Sequence, residues 1–310
     1  MNRLIAVVLL LVSYNGFAQE NITVCYPHED LQSCIDEAET RTVSLSDGVY
    51  NVQGIRIGSN MTFIIPKHSI LKLDDHAKLN SSAFGGIANY VLASIGTKES
   101  MIENVHIIID GEVDGNKSIH TYEKGGVEGI DWKWVTNSSI SGTGVIHSAN
   151  GDGIDIDATF NSTISNVTIR DNGDSGVHFG SPRPIAGAGS KNNVVIGVTS
   201  LNNGYRIGKS GFDLSWPNPD GVIYVNCTAI DNYRNFFIEA FGGAIYNAKS
   251  ISSGKVVGED DISGADYAVI NGENVTSKRL ISIKSQILMK RDIKKLLGMD
   301  YHEHLNGIKY

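Results

Sequence analysis

Charge and proline are both scarce in this chain. Charged residues make up 19% of its 310 positions, and proline occupies only 6, about 2% against a usual ~5%. Lysine and arginine form no run, and the formal charge is −8. Both features argue against a nucleic-acid partner. The three cysteines show no Cys/His spacing of a zinc site. Beyond residue 12, no apolar run is long enough to cross a bilayer, so stable membrane insertion is not expected. What the chain has instead is glycine, 34 residues or about 11% against ~7%, together with 26 asparagines. With 41% hydrophobic residues it can bury a core. Much glycine and asparagine with little charge points to many short strands joined by tight turns. A coiled coil, a helical bundle and collagen do not fit.

The N-terminus reads as an address. Asn2-Arg3 is a short positive start, Leu4 to Val12 is apolar, and Gly16-Phe17-Ala18 is a small-x-small cleavage site. A signal peptide from Met1 to Ala18 is expected, and with it a secreted or periplasmic protein. An oxidising compartment permits a disulfide, and Cys25 and Cys34 are close enough to staple the N-terminal segment. Cys227 sits in the apolar run Val222–Ile230 and reads as a buried free thiol.

The middle of the chain repeats. Gly129-Ile-Asp-Trp-Lys-Trp134 aligns with Gly153-Ile-Asp-Ile-Asp-Ala158, Gly176-Val-His-Phe-Gly-Ser181, Gly211-Phe-Asp-Leu-Ser-Trp216 and Asn235-Phe-Phe-Ile-Glu-Ala240. Asp266-Tyr-Ala-Val-Ile-Asn271 is a weaker sixth copy. The starts are 24, 23, 35, 24 and 31 residues apart. The second and fourth positions are always apolar, and alternation at period two is a half-buried strand. Before most copies stand Ala149-Asn-Gly151, Asp171-Asn-Gly173, Asn202-Asn-Gly204 and Asp231-Asn-Tyr233, which are turn signals. Earlier still come β-branched runs such as Ile164–Ile169 and Val222–Val225. Each unit therefore reads as strand, Asn-rich turn, strand, turn. Such units predict an all-β fold, a single-stranded right-handed parallel β-helix. Leucine-rich repeats are the competing solenoid, but the units show no helical period.

The flanks supply caps. Leu31, Cys34, Ile35 and Ala38 make one apolar face of a short N-terminal helix, and Gln286 to Leu297 reads as a short amphipathic C-terminal helix. The expected layout is a signal peptide over 1–18, an N-terminal cap over 19–42, the β-helix over 43–285 and a C-terminal helix and tail over 286–310. No linker interrupts it, and a monomer is expected.

If the second and fourth positions point inward, the third and fifth point outward. The third carries Asp131, Asp155, His178 and Asp213 on successive turns; the fifth carries Lys133, Asp157, Gly180, Ser215 and Glu239. Neighbouring strands lie roughly 4.8 Å apart. Like charges that close must hold protons, bind a cation or pair with bases. Asp131, Asp155, Asp157 and Asp213 are thus a candidate calcium set, since Ca²⁺ takes hard oxygen ligands. Asp152 and Asp174 lie in the turns leading into this face. The long unit carries insertions at 181–190 and 204–210, which bring Arg183, Arg206 and Lys209 beside the strip. Trp134, Trp216 and Tyr205 lie at its edges and could stack on sugar rings, with Lys133 and Glu239 as further substrate contacts.

The N-terminal helix, the segment Val43-Ser-Leu-Ser-Asp-Gly-Val-Tyr50 and the Asn/Gly-rich units resemble the pectin-lyase-like superfamily of pectate and alginate lyases, polygalacturonases and uronan epimerases. Asn150-Gly-Asp-Gly-Ile-Asp155 resembles the polygalacturonase motif Asn-Thr-Asp-Gly-Ile-Asp, and Asp174 stands where that family places a pair of aspartates. Arg206-Ile-Gly-Lys209 is similar to part of its Arg-Ile-Lys motif. Gly153-Ile-Asp-Ile-Asp157 is similar to the Gly-x-Asp-Pro-His strand of alginate epimerases. The resemblance implies the same solenoid and an acidic polysaccharide or oligosaccharide as substrate.

Two reactions suit the strip. In β-elimination a cation neutralises a uronate carboxylate and a base takes the C5 proton, the base being His178, Lys209, Arg206 or Lys133. In hydrolysis two carboxyls divide the acid and base roles: Asp155 with Asp157 has a suitable spacing, Asp131 with Asp213 or Asp174 offers other pairs, and Asp152 is a further candidate. Basic residues flanking the strip favour the lyase. A C5-epimerase and a non-catalytic glycan-binding solenoid are the remaining alternatives.

Overall fold

Apolar residues at every second position require a strand with one face on a core. The computed structural model describes residues 21–80, 89–121, 125–180, 189–215, 221–239, 242–253, 261, 262 and 264–274, and in it that core is the lumen of a parallel β-helix. One turn of the helix runs through strands Thr163–Ser165, Thr168–Arg170 and Val177–Gly180. Each pairs in parallel with its counterpart one turn before and one turn after.

A turn therefore holds three strands rather than the two expected. The β-branched run Ile164–Ile169 is divided at Asn166, whose φ is 60°. Gly197 at φ 65° and Asn226 at φ 52° divide the following turns at the same place. Glycine and asparagine tolerate this left-handed conformation, so a residue that looks compatible with a continuous strand becomes a corner.

The Asn-rich turns do more than reverse the chain. Asn172 Oδ1 accepts from Ala149 N at 2.9 Å, Asn203 Oδ1 from Asn172 N at 2.9 Å, and Asn232 Oδ1 from Asn203 N at 2.9 Å. Asn150 begins this stack by accepting from Val127 N at 2.6 Å. The side-chain amides thus satisfy buried backbone groups that no strand reaches. The glycine opening each of the first four copies answers a different need. A Cβ on Gly153 would lie 2.4 Å from Ile169 Cγ2, and one on Gly176 would lie 2.5 Å from Gly211 O.

One sheet carries the repeated copies. Its seven strands are, in order, Ile55–Arg56, Asn89–Ile95, Val127–Lys133, Ile154–Asp157, Val177–Gly180, Ser210–Leu214 and Arg234–Ile238. Ile130, Trp132, Ile154, Ile156, Val177, Phe179, Phe212, Leu214, Phe236 and Ile238 fill the lumen, as the alternation requires. The sixth copy is an exception. Ala265–Ile270 pairs with Gly243–Ile251 on a different face of the solenoid. Its apolar alternation fits any of the faces and does not choose among them. There Tyr267 joins Val194, Ile223, Val225, Ala244 and Tyr246 in a second apolar cluster apart from the lumen.

At the N-terminal end, helix Leu31–Asp36 is capped by Asp30, whose carboxylate accepts from Ser33 N at 2.7 Å. Leu31 and Ile35 close the lumen, and Cys25 is bonded to Cys34. The parallel ladder already starts at Ile22–Cys25, which pairs with Thr42–Leu45, so strand structure extends into the expected cap. Cys227 is a buried free thiol, and burial pushes it up to about 12. Among the described residues no helix is long and apolar enough to cross a membrane. The expected signal peptide and C-terminal helix lie outside the described residues.

The Asn stack yields a stability prediction. Asn203 is fully buried and holds Asn172 N, Ile169 O and Asn232 Oδ1. Asn203→Ala strands those groups and is expected to cost about 2 kcal/mol or more in urea denaturation. An unchanged midpoint would show that the stack is not structural.

Candidate functional site

The parallel register puts the third positions of the copies in one row. Asp131 is the Cα partner of Asp155, Asp155 of His178, and His178 of Asp213. Lys133, Asp157 and Gly180 form the adjoining row. The side-chain order is the expected one, but the exposure is not. Asp131 and Asp213 are 0% exposed, Asp155 9%, and Lys133 and Asp157 7%. The strip is a buried polar floor and not an open face.

Burial requires each charge to have a partner. Lys133 Nζ lies 2.9 Å from Asp131 Oδ2 and 4.0 Å from Asp155 Oδ2. Lys209 Nζ lies 3.5 Å from Asp213 Oδ2, which also accepts from Ser175 Oγ at 3.2 Å. Arg206 pairs with Asp174 and donates through Nε to Asn150 O at 3.1 Å. His178 stands at the centre. Its Nδ1 lies 2.8 Å from Asp155 Oδ1 and 3.6 Å from Asp152 Oδ2, and its Nε2 lies 3.1 Å from Ser215 Oγ. Asp152 Oδ1 accepts from Ser175 N at 2.5 Å.

These contacts divide the carboxyls by protonation. Burial lifts Asp152 to about 8 against the lowering pull of His178. Burial likewise lifts Asp157 to about 7, helped by the charge of Asp155, and Asp131 to about 6 despite Lys133. Burial acts on Asp155 too, but the hydrogen bond and charge of His178, then Lys133, hold it below the ordinary value. On His178 burial favours the neutral ring, yet the Asp155 hydrogen bond and the charges of Asp152 and Asp155 push it up to about 10. Lys133 and Lys209 are raised as well, since their aspartate neighbours outweigh burial. The protonated form is thus favoured on Asp152 and the anion on Asp155, both beside one imidazole.

Asp152, Asp155, Asp157, Asp174, His178, Lys133, Arg206 and Lys209 are thus brought into one polar cluster. Other expected site residues fall elsewhere. Trp134 is only 8% exposed, because the chain turns out of the sheet there at φ 56°, so it offers no stacking surface. Glu239 follows the last strand of the sheet and is exposed. Tyr205 is 40% exposed. Arg183 and Trp216 lie outside the described residues.

The four aspartates proposed for calcium do not surround one point. Asp131 and Asp213 are three strands apart, about 14 Å, and each has its own lysine. Among the described residues, Asp152, Asp155 and His178 are the group that brings one ligand atom each within 4.8 Å of the others. An imidazole held between two carboxylates is a poor match for a cation that prefers oxygen. A single calcium ion bound by the four aspartates does not fit these donors.

Glu128 was not expected here. Its carboxylate accepts the backbone N–H of Asp152, and burial raises it well above the usual carboxylate range. The signal was available. Glu128 precedes Gly129 as Asp152 precedes Gly153 and Ser175 precedes Gly176. Alternation counted back from Ile130 would turn Glu128 inward, yet within the continuous strand Val127–Lys133 its carboxylate reaches Asp152 N.

The imidazolium can be observed directly. The ring signals of His178 in nuclear magnetic resonance are expected to stay constant between about pH 5 and pH 8, where an ordinary histidine titrates. A midpoint near 6.5 would contradict the geometry described.

No protein-family model matches the sequence, and no curated protein matches it. Solved structures do match in three dimensions. PfbA, a surface adhesin of Streptococcus pneumoniae, superposes with a TM-score of 0.53 at 13% identity, over 76% of this chain and 61% of the adhesin. The chain therefore spans less than two thirds of that protein's length. The A-module of the Azotobacter vinelandii mannuronan C-5 epimerase AlgE4 gives 0.46 at 16% identity, over 73% of this chain and 74% of the module. A family 28 exopolygalacturonase of Yersinia enterocolitica gives 0.36 at 14% identity, over 71% and 57%. At these identities the likeness is one of fold: the chain is a right-handed parallel β-helix.

Proposed function

We propose that the protein hydrolyses glycosidic bonds in an acidic, uronate-containing polysaccharide, with Asp152 as proton donor and Asp155 as the ionised partner. The observation that carries this reading is the placing of two buried carboxyls on one imidazole, Asp155 Oδ1 at 2.8 Å and Asp152 Oδ2 at 3.6 Å from His178 Nδ1. Asp152 is pushed to about 8 by burial, while Asp155 is kept ionised by His178 against the same burial. Glycoside hydrolysis needs such a pair, one carboxyl still protonated at working pH and one charged to stabilise or attack the sugar cation. Asp157, at about 7, is a second reservoir of protons beside Asp155.

β-Elimination, the reaction first expected, needs a strong base for the C5 proton. His178, Lys133 and Lys209 all hold their protons more firmly than usual. Asp155, stabilised as the anion, is a weak acceptor for a carbon-bound proton. Elimination stands as the second reading because Arg206 and Lys209 border the aspartates and could neutralise a uronate carboxylate. The fold does not choose between these reactions and a non-catalytic glycan-binding role, since an adhesin shares it. An exported destination agrees with the Cys25–Cys34 bond.

Incubation with a panel of uronate polysaccharides separates the readings. Hydrolysis predicts new reducing ends without the ultraviolet absorbance of unsaturated sugars, and no loss of activity in chelator. Both signals rising together would establish elimination instead. The general acid must be protonated, so kcat/KM is expected to fall as pH rises through about 8. Asp152→Asn is expected to lower kcat by about 100-fold or more. Wild-type rates in Asp152→Asn would remove Asp152 from the reaction.

A further inference from the structure

Beside the carboxyl row, where the turns enter the site sheet, lies a cavity of about 420 Å³. Its lining includes Lys117, His120, Asn172, Asn202, Tyr205 and Arg206. Among the described residues that line it, two are cations and none is a carboxylate, in a chain whose net charge is −8. Lys117 donates to the backbone carbonyl of Asp171. The Asp171 carboxylate is engaged by Arg170 at 2.6 Å and by Asn202 Nδ2 at 2.6 Å. The cavity lining itself therefore carries cations only, with Asp171 and Asp174 behind it, each paired with an arginine.

The cavity also has a fixed aromatic wall. Tyr205 OH donates to Asp231 O at 2.8 Å, and its ring meets Tyr233 edge-on at 6.1 Å between centroids. The ring is held in place yet remains 40% exposed. Such a ring presents a rigid apolar face to a flat sugar. The volume lies within the range of small-molecule sites. Arg206 belongs both to this lining and to the pair with Asp174, so the cavity adjoins the carboxyl cluster.

We propose that this cavity is a uronate subsite apart from the cleavage row, in which Tyr205 stacks on the pyranose and Lys117 takes its carboxylate. The identity of the bound chain rests on the function proposed above; the preference for an anionic sugar rests on the cavity alone. A chain seated there would extend past Arg206 toward Asp152 and Asp155, and the subsite would select chains charged at that residue.

Monosaccharides test it with intact wild-type protein, because they contain no bond to cleave. Galacturonate, glucuronate and mannuronate are titrated against galactose, glucose and mannose by nuclear magnetic resonance. At least one uronate is expected to bind about tenfold or more tightly than its neutral parent, with signals of Tyr205 and its neighbours shifting. The exposed Lys117→Gln is expected to abolish that preference, and Lys117→Arg to restore most of it. Equal binding of charged and neutral sugars, or a preference unaffected by Lys117→Gln, would overturn the assignment. Sulfate competing as strongly as the uronates would overturn its sugar component. Polymer cleavage is read separately, so the two proposals fail independently.

Discussion

The parallel register is the constraint on which the site depends. It sets equivalent residues of successive turns directly beside one another, at roughly 4.8 Å. A charged third position in the repeat thus becomes a continuous row, Asp131, Asp155, His178 and Asp213. Each carboxylate then faces others with little water between, and the row is tolerable only if protons or internal cations balance it. Glu128, Asp131, Asp152, Asp155, Asp157, Asp174 and Asp213 surround Lys133, His178, Arg206 and Lys209. Seven carboxyls against four cations favour protons on the excess acids. Glu128, Asp152 and Asp157, each driven up chiefly by burial, are suited to hold them. The uneven protonation of the row is thus a consequence of stacking acids on a solenoid.

The same repetition makes the floor rigid. The site strands are fixed on their inner side by lumen residues such as Phe212 and Phe236, stacked at 5.2 Å. They are fixed at their entry by the asparagine stack of Asn150, Asn172, Asn203 and Asn232. The described insertion at Gly204–Ser210 folds back on an earlier turn, with Arg206 N donating to Gly173 O at 3.0 Å. That contact brings Arg206 to Asp174 and Lys209 toward Asp213. Side chains on such a support keep the spacing that pairs Asp155 with His178.

Much of this was legible in the sequence because a repeat converts alignment into geometry. Placing Gly129, Gly153, Gly176 and Gly211 over one another predicted the lumen residues, the row of third positions and the neighbours of His178. The glycine and asparagine positions were legible only as turns, since single-residue left-handed corners such as Asn166 do not interrupt an apolar pattern. That is why three strands per turn read as two. Burial was not legible either, because it depends on what lies over the face as well as on strand direction. Glu128 escaped because alternation counted back from Ile130 turns it inward, and the cavity at Lys117 and Tyr205 escaped because it joins residues almost 90 positions apart.

The central claim is that Asp152 and Asp155, three residues apart at the entry of one strand, differ in protonation. Carbon-13 spectra of the aspartate carboxyls across pH measure this directly. Asp152 is expected to keep its proton until about pH 8, while Asp155 stays ionised to below the ordinary aspartate value. Two ordinary titrations near 3.9 would contradict the account at its root.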